Sequence, residues 1–133
     1  GEYSFNPSDD AYQSLKAGEI LTVTATVTVT DDQGATATQD VVFNMTGTND
    51  APVITSTIDA VSVDEDGAAI TGTVTSSDVD HDATATYSAT ATAGFTINST
   101  TGAYSFDPSN AAYQSLKAGE TLTVTAKVTV KDD

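Results

Sequence analysis

A chain of 133 residues with 19 acidic side chains, four lysines, no arginine and no cysteine carries a formal net charge of −15. Phosphate binding needs basic groups, so this balance excludes nucleic acid as a partner and disfavours an anionic membrane surface. No disulfide can staple the fold, and no run approaches the roughly 18 apolar residues of a membrane span. No Trp, nine Phe plus Tyr and 25 Thr predict a thin core of Val, Ile, Leu, Tyr and Phe, with β-branched Thr on wet strand faces. Thr arrays that order water on ice need a repeat of a few residues, which is absent.

In chain order, Tyr3 and Phe5 alternate with polar residues as core positions do. Ser8 precedes Asp9, Asp10, Ala11 and Tyr12, a short helical turn with Ser8 as its cap and acids at its positive start. Tyr12 and Leu15 are expected to plug one end of a sandwich, and Gly18 to end the segment. Residues 20–30 alternate strictly, with Leu21, Val23, Ala25, Val27 and Val29 on one face and Thr on the other. That is a half-buried antiparallel strand. Val41, Phe43 and Met45 alternate in a second strand over 36–46. Further strands are expected at 53–58, 60–63, 68–75, 83–91, 94–97 and 102–106, separated by turn signals such as Asp66-Gly67 and Thr101-Gly102. A second helical turn follows Ser109, with Tyr113 and Leu116, and is closed by Gly119. The last strand, 121–131, places Lys127 and Lys131 on its wet face, where lysine guards against edge pairing.

Residues 1–32 recur at 102–133 with an offset of 101 and no gap, and 25 of the 32 aligned residues are identical. A period of that length exceeds the 20–50 residues of solenoids, so each unit should be a small domain with its own core, joined in tandem. Residues 1–49 then read as the C-terminal half of one repeat, and 50–133 as the next repeat without its last strand. One well-formed sandwich centred on 50–133 is expected. Residues 1–48 and 102–133 each compete to complete the strands of 53–101. The strand 34–48 is offered within the chain or to a neighbouring molecule in a swapped dimer. Short strands with turns every 8–12 residues indicate an all-β, immunoglobulin-type Greek-key sandwich. The absent Cys and Trp exclude an antibody domain.

The acids cluster in turns: Asp31-Asp32, Asn49-Asp50, Asp64-Glu65-Asp66, Asp78-Val79-Asp80-His81-Asp82 and Asp132-Asp133. Like charges at loop tips repel, and a divalent cation would relieve the repulsion. Calcium takes 6–8 oxygens from carboxylates, amides and carbonyls, and Asn49, Asp50, Asp78 and Asp80 are of the right types. Unmetallated polar turns are the plainer alternative, because Asp and Asn favour turns anyway. Asp78, Asp80 and Asp82 have EF-hand spacing, but Ala83 stands where the loop needs Gly and Ala89 where it needs Glu. His81 is alone and expected to be a solvated loop residue, so zinc has no ligand set. No catalytic constellation is present, and the paired carboxylates lie in turns, not in an identifiable cleft. The sequons at Asn44 and Asn98 are chance products of a Thr-rich chain.

The stretch Gly47-Thr48-Asn49-Asp50-Ala51-Pro52-Val53-Ile54, the Asp78-Val79-Asp80 triplet, Thr101-Gly102-Ala103-Tyr104, the Leu116–Glu120 segment and the closing Asp132-Asp133 together resemble the VCBS-type repeats of large bacterial surface proteins. They also resemble the cadherin-like extender domains of RTX adhesins. The resemblance covers the whole chain, through the ordered set of motifs and not through any single one. It implies a secreted, cell-surface role as a bead in a stalk. Calcium would bind at each junction through Asn49, Asp50, Asp78, Asp80 and Asp132. Asp64, Glu65 and Asp66 would serve the next junction, and Asp31 the one before. Partners would be neighbouring repeats of the same chain. A calcium-dependent glycan- or protein-binding module is the competing reading, and homophilic contact between stalks a third.

Overall fold

The computed structural model describes all 133 residues. It is all-β apart from one 3-10 turn, every paired strand is antiparallel, and no helix is long and apolar enough to cross a membrane. The residues gather into two compact units. Unit 1 holds Gly1–Asp50 with Val79–Asp82, and unit 2 holds Ala51–Asp78 with Ala83–Asp133.

Unit 1 is built on one long hairpin. Strands β1 (Ile20–Thr30) and β2 (Thr36–Thr46) pair residue for residue from Ile20↔Thr46 to Thr30↔Thr36. This is the extent that the alternation predicts. Register follows from the pattern: Leu21 meets Met45, Val23 meets Phe43 and Ala25 meets Val41, so the apolar set shares one face. On the other face Thr22 donates to Asn44 Oδ1 (2.8 Å) and Thr26 to Asp40 Oδ1 (2.6 Å). Phe5 stacks on Phe43 with centroids 4.4 Å apart, Tyr3 meets Phe43 edge-on, and Tyr12 lies against Phe5. These rings cover only the base of the hairpin. Val27 and Val29, nearer the turn, stay 49% and 65% exposed, and Tyr3 is exposed rather than core.

The helical turn spans Asp10–Tyr12, and its cap is Asp9, not Ser8: Asp9 Oδ1 accepts from the Ala11 N–H at 3.0 Å. Carboxylate and hydroxyl are similar caps, and here Ser8 turns its N–H to Asn6 Oδ1 instead. The second copy makes turns over 111–115 without a helix; Asn110 and Ala111 stand there in place of two acids at the helix start.

Unit 2 carries seven short strands. β4 (Ile70–Thr73), β8 (Ala103–Phe106) and β7 (Phe95–Ile97) form a three-stranded sheet in the order β4-β8-β7. β3 (Val53–Ile54) pairs β5 (Ser76–Ser77), and β6 (Thr86–Ala89) pairs β9 (Val128–Lys131). The core is small: Val74, Tyr87 and Tyr113 are its buried apolar residues. Tyr113 lies against Phe106 and donates to Ala93 O at 2.6 Å, and the Tyr87 hydroxyl meets Ser76 Oγ at 2.8 Å. Buried phenols thus keep a polar partner.

Five expected strands fall short. Residues 60–63 form none, 53–58 shrinks to Val53–Ile54, 68–75 to Ile70–Thr73, 83–91 to Thr86–Ala89, and 121–131 to Val128–Lys131. Beyond these strands only isolated backbone bonds continue, such as Thr55 N–H to Thr75 O at 2.8 Å and Thr90 N–H to Lys127 O at 2.9 Å, and they do not extend a ladder.

Gly102 closes the turn into β8 at φ +69, where an added Cβ would stand 2.2 Å from Val74 O; Gly119, at φ +82, has open space around it. Gly119→Ala should therefore cost about 1 kcal/mol from backbone strain alone. Gly102→Ala should cost about 2–4 kcal/mol, because Val74 must move as well. Urea unfolding midpoints of the two variants test this, and equal losses would show that the Gly102 turn is not packed on Val74.

Candidate functional site in the acidic turns

Most of the acidic turns prove to be engaged by backbone. Asp31 Oδ1 accepts from the N–H groups of Gln33 (2.9 Å) and Ala35 (2.8 Å), so it folds the β1–β2 turn, with Gly34 at φ +88 completing it. Asp133 Oδ1 accepts from the Thr84 N–H at 3.1 Å. Asp64 gives its carbonyl to the Gly67 N–H at 2.8 Å. Asn49 donates its amide to Asp50 O at 3.0 Å.

Asp80 is the deepest of these groups, 7% exposed. Its Oδ2 accepts from the Asp50 N–H at 3.0 Å, within unit 1. The rest of Val79–Asp82 is also held inside unit 1. The His81 N–H donates to Ser14 O at 3.1 Å, and His81 Nδ1 reaches the same oxygen at 2.6 Å. Nδ1 also lies 3.5 Å from Glu19 Oε2, and Lys16 Nζ donates to Asp82 O at 3.0 Å. His81 is thus an exposed loop residue, as expected, but one anchored by these bonds. Asp82 takes φ +55, a left-handed conformation that Asp tolerates better than most side chains. Sequence reading missed Ser14, Lys16 and Glu19 as partners of this loop, since nothing local links positions 67 residues apart.

The junction residues divide between the units: Asn49, Asp50 and Asp80 belong to unit 1, Asp78 and Asp132 to unit 2. No group of three or more His, Cys, Asp or Glu side chains is arranged to hold a metal ion, so the turns do not present a finished six- to eight-oxygen cage. In unit 2, Glu65 Oε2 is buried and accepts no hydrogen bond, while Glu65 O accepts from Gln114 Nε2 at 3.3 Å. A buried carboxylate oxygen without a donor is costly, and a cation would satisfy it.

A polar hollow of about 440 Å³ opens in unit 1 beside Tyr12, Gln13, Asn44, Thr48 and Asp50. Its one aromatic, Tyr12, is already packed on Phe5, so the hollow offers no stacking platform for a sugar.

Because Asp80 is buried against the Asp50 N–H, Asp80→Ala should destabilise unit 1 by about 1–3 kcal/mol, and Asp80→Asn, which keeps an acceptor oxygen, by clearly less. Amide exchange at Asp50 reads the bond directly. Unchanged exchange in the Ala variant would show that the 3.0 Å contact contributes nothing.

A family model described as the bacterial Ig domain matches residues 49–133. Comparison with curated proteins and with solved structures gives no match. The all-β antiparallel architecture and the family match agree on an immunoglobulin-like β-sandwich, a structural module typical of extracellular bacterial surface proteins. By that match over more than half of its length, the chain belongs to the bacterial Ig domain family.

Proposed function

We propose that the chain is a spacer repeat in the stalk of a bacterial cell-surface adhesin, of the VCBS or cadherin-like extender kind, with no catalytic role. The observation that carries this is the duplication: 32 residues return after 101 with 25 unchanged, in a family of structural modules. Near-identical domains in series add length. Unique recognition would call for a distinct, aromatic-lined surface, and the hollow beside Tyr12 is not one. The partners of such a repeat are its neighbours in the same chain.

The second half of the proposal is calcium, bound at the junction through Asn49, Asp50, Asp78, Asp80 and Asp132, at Asp64, Glu65 and Asp66 for the following junction, and at Asp31 for the preceding one. Its support is the oxygen chemistry of those residues, the net charge of −15 and the orphaned Glu65 oxygen. Binding must gather ligands beyond those already placed, so it would couple ion occupancy to ordering of the acidic turns. Weak sites of about 10⁻⁴–10⁻³ M fill at extracellular calcium and stay empty in cytosol. Such a repeat would be pliable before secretion and stiff after it.

Thermal unfolding in EDTA, calcium and magnesium decides between the readings. A tenfold excess of calcium over a site of that affinity contributes about 1.4 kcal/mol, so Tm should rise by about 5–10 °C for a domain of this size. Magnesium should not reproduce the rise, and the Asp78→Asn/Asp80→Asn double variant should lose it. A calcium-specific rise that survives in the double variant would move the site elsewhere. No rise at all would remove calcium and leave the spacer, at which point calcium-independent binding on a glycan array becomes the test of the adhesion-module alternative.

A further inference from the structure

The repeat places one sequence in two settings. In unit 2, segment 102–131 is packed. Tyr113 is buried and donates to Ala93 O, Tyr104 and Phe106 sit in β8 between β4 and β7, and Val128 and Val130 pair with β6. In unit 1 the copies are less covered: Tyr3 is 70% exposed, Tyr12 lines the hollow, and Val27 and Val29 are exposed. Of the seven positions that differ between the copies, six are exposed in unit 2 and the seventh, Asn110, is half-buried. Even the turn glycine is kept, since Gly1 matches Gly102, where an added Cβ would strike Val74 O. Backbone direction agrees as well. In β9 the groups that face β6 belong to Lys127, Thr129 and Lys131, a phase fixed by the Thr90 N–H bond to Lys127 O. Their copies are Thr26, Thr28 and Thr30. In β1 those three face away from β2, because the bonds of Gly47 N–H to Glu19 O and of Asp31 N–H to Ala35 O put the odd-numbered residues of β1 on the β2 side.

We propose that two copies of this chain exchange halves, residues 1–48 of one taking the place of 102–133 on residues 51–101 of the other. The free edge of β1 then pairs with β6 in the register that β9 uses: Thr30 opposite Thr86, Val29 opposite Tyr87, Thr28 opposite Ser88 and Val27 opposite Ala89. The β1–β2 ladder stays whole, so β2 is carried in as one more strand beside β1. Cover is traded one for one between identical side chains. What is not symmetrical favours the exchange: the hairpin is ordered in both states, whereas the released 102–133 recovers conformational entropy. The partner is a second copy, not the same chain. Val79–Asp82 is held by Ser14, Lys16 and Glu19, just before β1. Thr86 is four residues from Asp82, a reach of about 14 Å, whereas Thr30 is eleven residues of strand from Glu19, about 36 Å. Thr30 therefore cannot meet Thr86 of its own chain while those bonds hold, and between copies none of them need break. Each chain holds one donor and one acceptor, so exchange closes as a reciprocal dimer or runs head to tail. It needs no cation, so its failure and that of the calcium reading are separable.

The chain has no cysteine, which makes disulfide trapping clean. Ser88 and Thr129 are cross-strand partners in β6 and β9, a spacing that a disulfide can bridge. Ser88→Cys with Thr129→Cys in one chain should lock the resident strand and hold the protein monomeric until the bond is reduced. Thr28→Cys and Ser88→Cys, made in separate chains, warmed together near the unfolding midpoint, cooled and mildly oxidised, should give a 28–88 heterodimer in preference to either homodimer. The unmodified chain, treated the same way in EDTA, should sediment as a dimer or a longer series. Val29→Asp alters a side chain that is 65% exposed in the single copy, so it should leave the monomer's Tm unchanged. It should lower the yield of dimer about tenfold or more, because exchange would bury the new charge beside Tyr87. A monomer at every concentration after that treatment overturns the proposal. So does a dimer that forms with the 88–129 link closed, or a doubly substituted chain that links 28 to 88 within itself.

Discussion

Everything in this molecule depends on whether a segment's backbone N–H and C=O groups find another strand. A β-strand, unlike a helix, cannot satisfy itself. The repeat shows this with sequence held nearly constant. Tyr104, Ser105 and Phe106 lie in β8 between β4 and β7, whereas the same tripeptide at 3–5 forms no strand, having only aromatic contacts. The Thr/Val segment behaves in the opposite sense: a full ladder at 20–30 against β2, and four paired residues at 128–131 against β6. Pairing alone does not bury a side chain: Val27 and Val29 sit in the β1–β2 ladder yet stay exposed, while Val128 and Val130, paired with β6, are half-buried. Local propensity proposes strands here, and neighbours decide which exist.

The same rule explains the acids. A turn leaves several backbone donors without ladder partners, and short carboxylate side chains reach them. Asp31 takes two such N–H groups, Asp9 caps the helical turn, and Asp80 holds the N–H of Asp50. Part of what looks in the sequence like a surplus of anions at loop tips is thus structural hydrogen bonding. Glu65 Oε2, by contrast with those bonded oxygens, is buried without a donor. The acidic turns therefore hold carboxylates that already serve the fold and, at Glu65, an oxygen buried without a donor.

How much was legible follows from the range of each interaction. The β1–β2 hairpin was readable to the residue because its pattern is strict, its turn is local and both strands are contiguous in sequence. Fold class was readable from alternation and turn spacing. Segment 60–63 misled because its alternating valines fit a strand as well as an exposed loop, and Val61 is 63% exposed. The cap moved by one residue, from Ser8 to Asp9, within the ordinary latitude of helix ends. His81 is the exposed loop residue expected, but its anchoring was not legible. Its partners Ser14 and Glu19 lie far back in the chain, and no periodicity or composition encodes such a contact. The acid positions of the candidate site were visible, but not which of their oxygens backbone would occupy.

Charge and pairing also constrain each other. A net −15 on 13.6 kDa keeps copies apart over a Debye length of about 8 Å at physiological ionic strength. Any close approach of two copies is least opposed where the field is locally reversed. Lys127 and Lys131 are half of the chain's positive charges, and both lie in a segment whose strand pattern is incompletely paired. The carboxylates fixed by backbone hydrogen bonds cannot turn away to relax that field. Added salt would therefore weaken the general repulsion between copies.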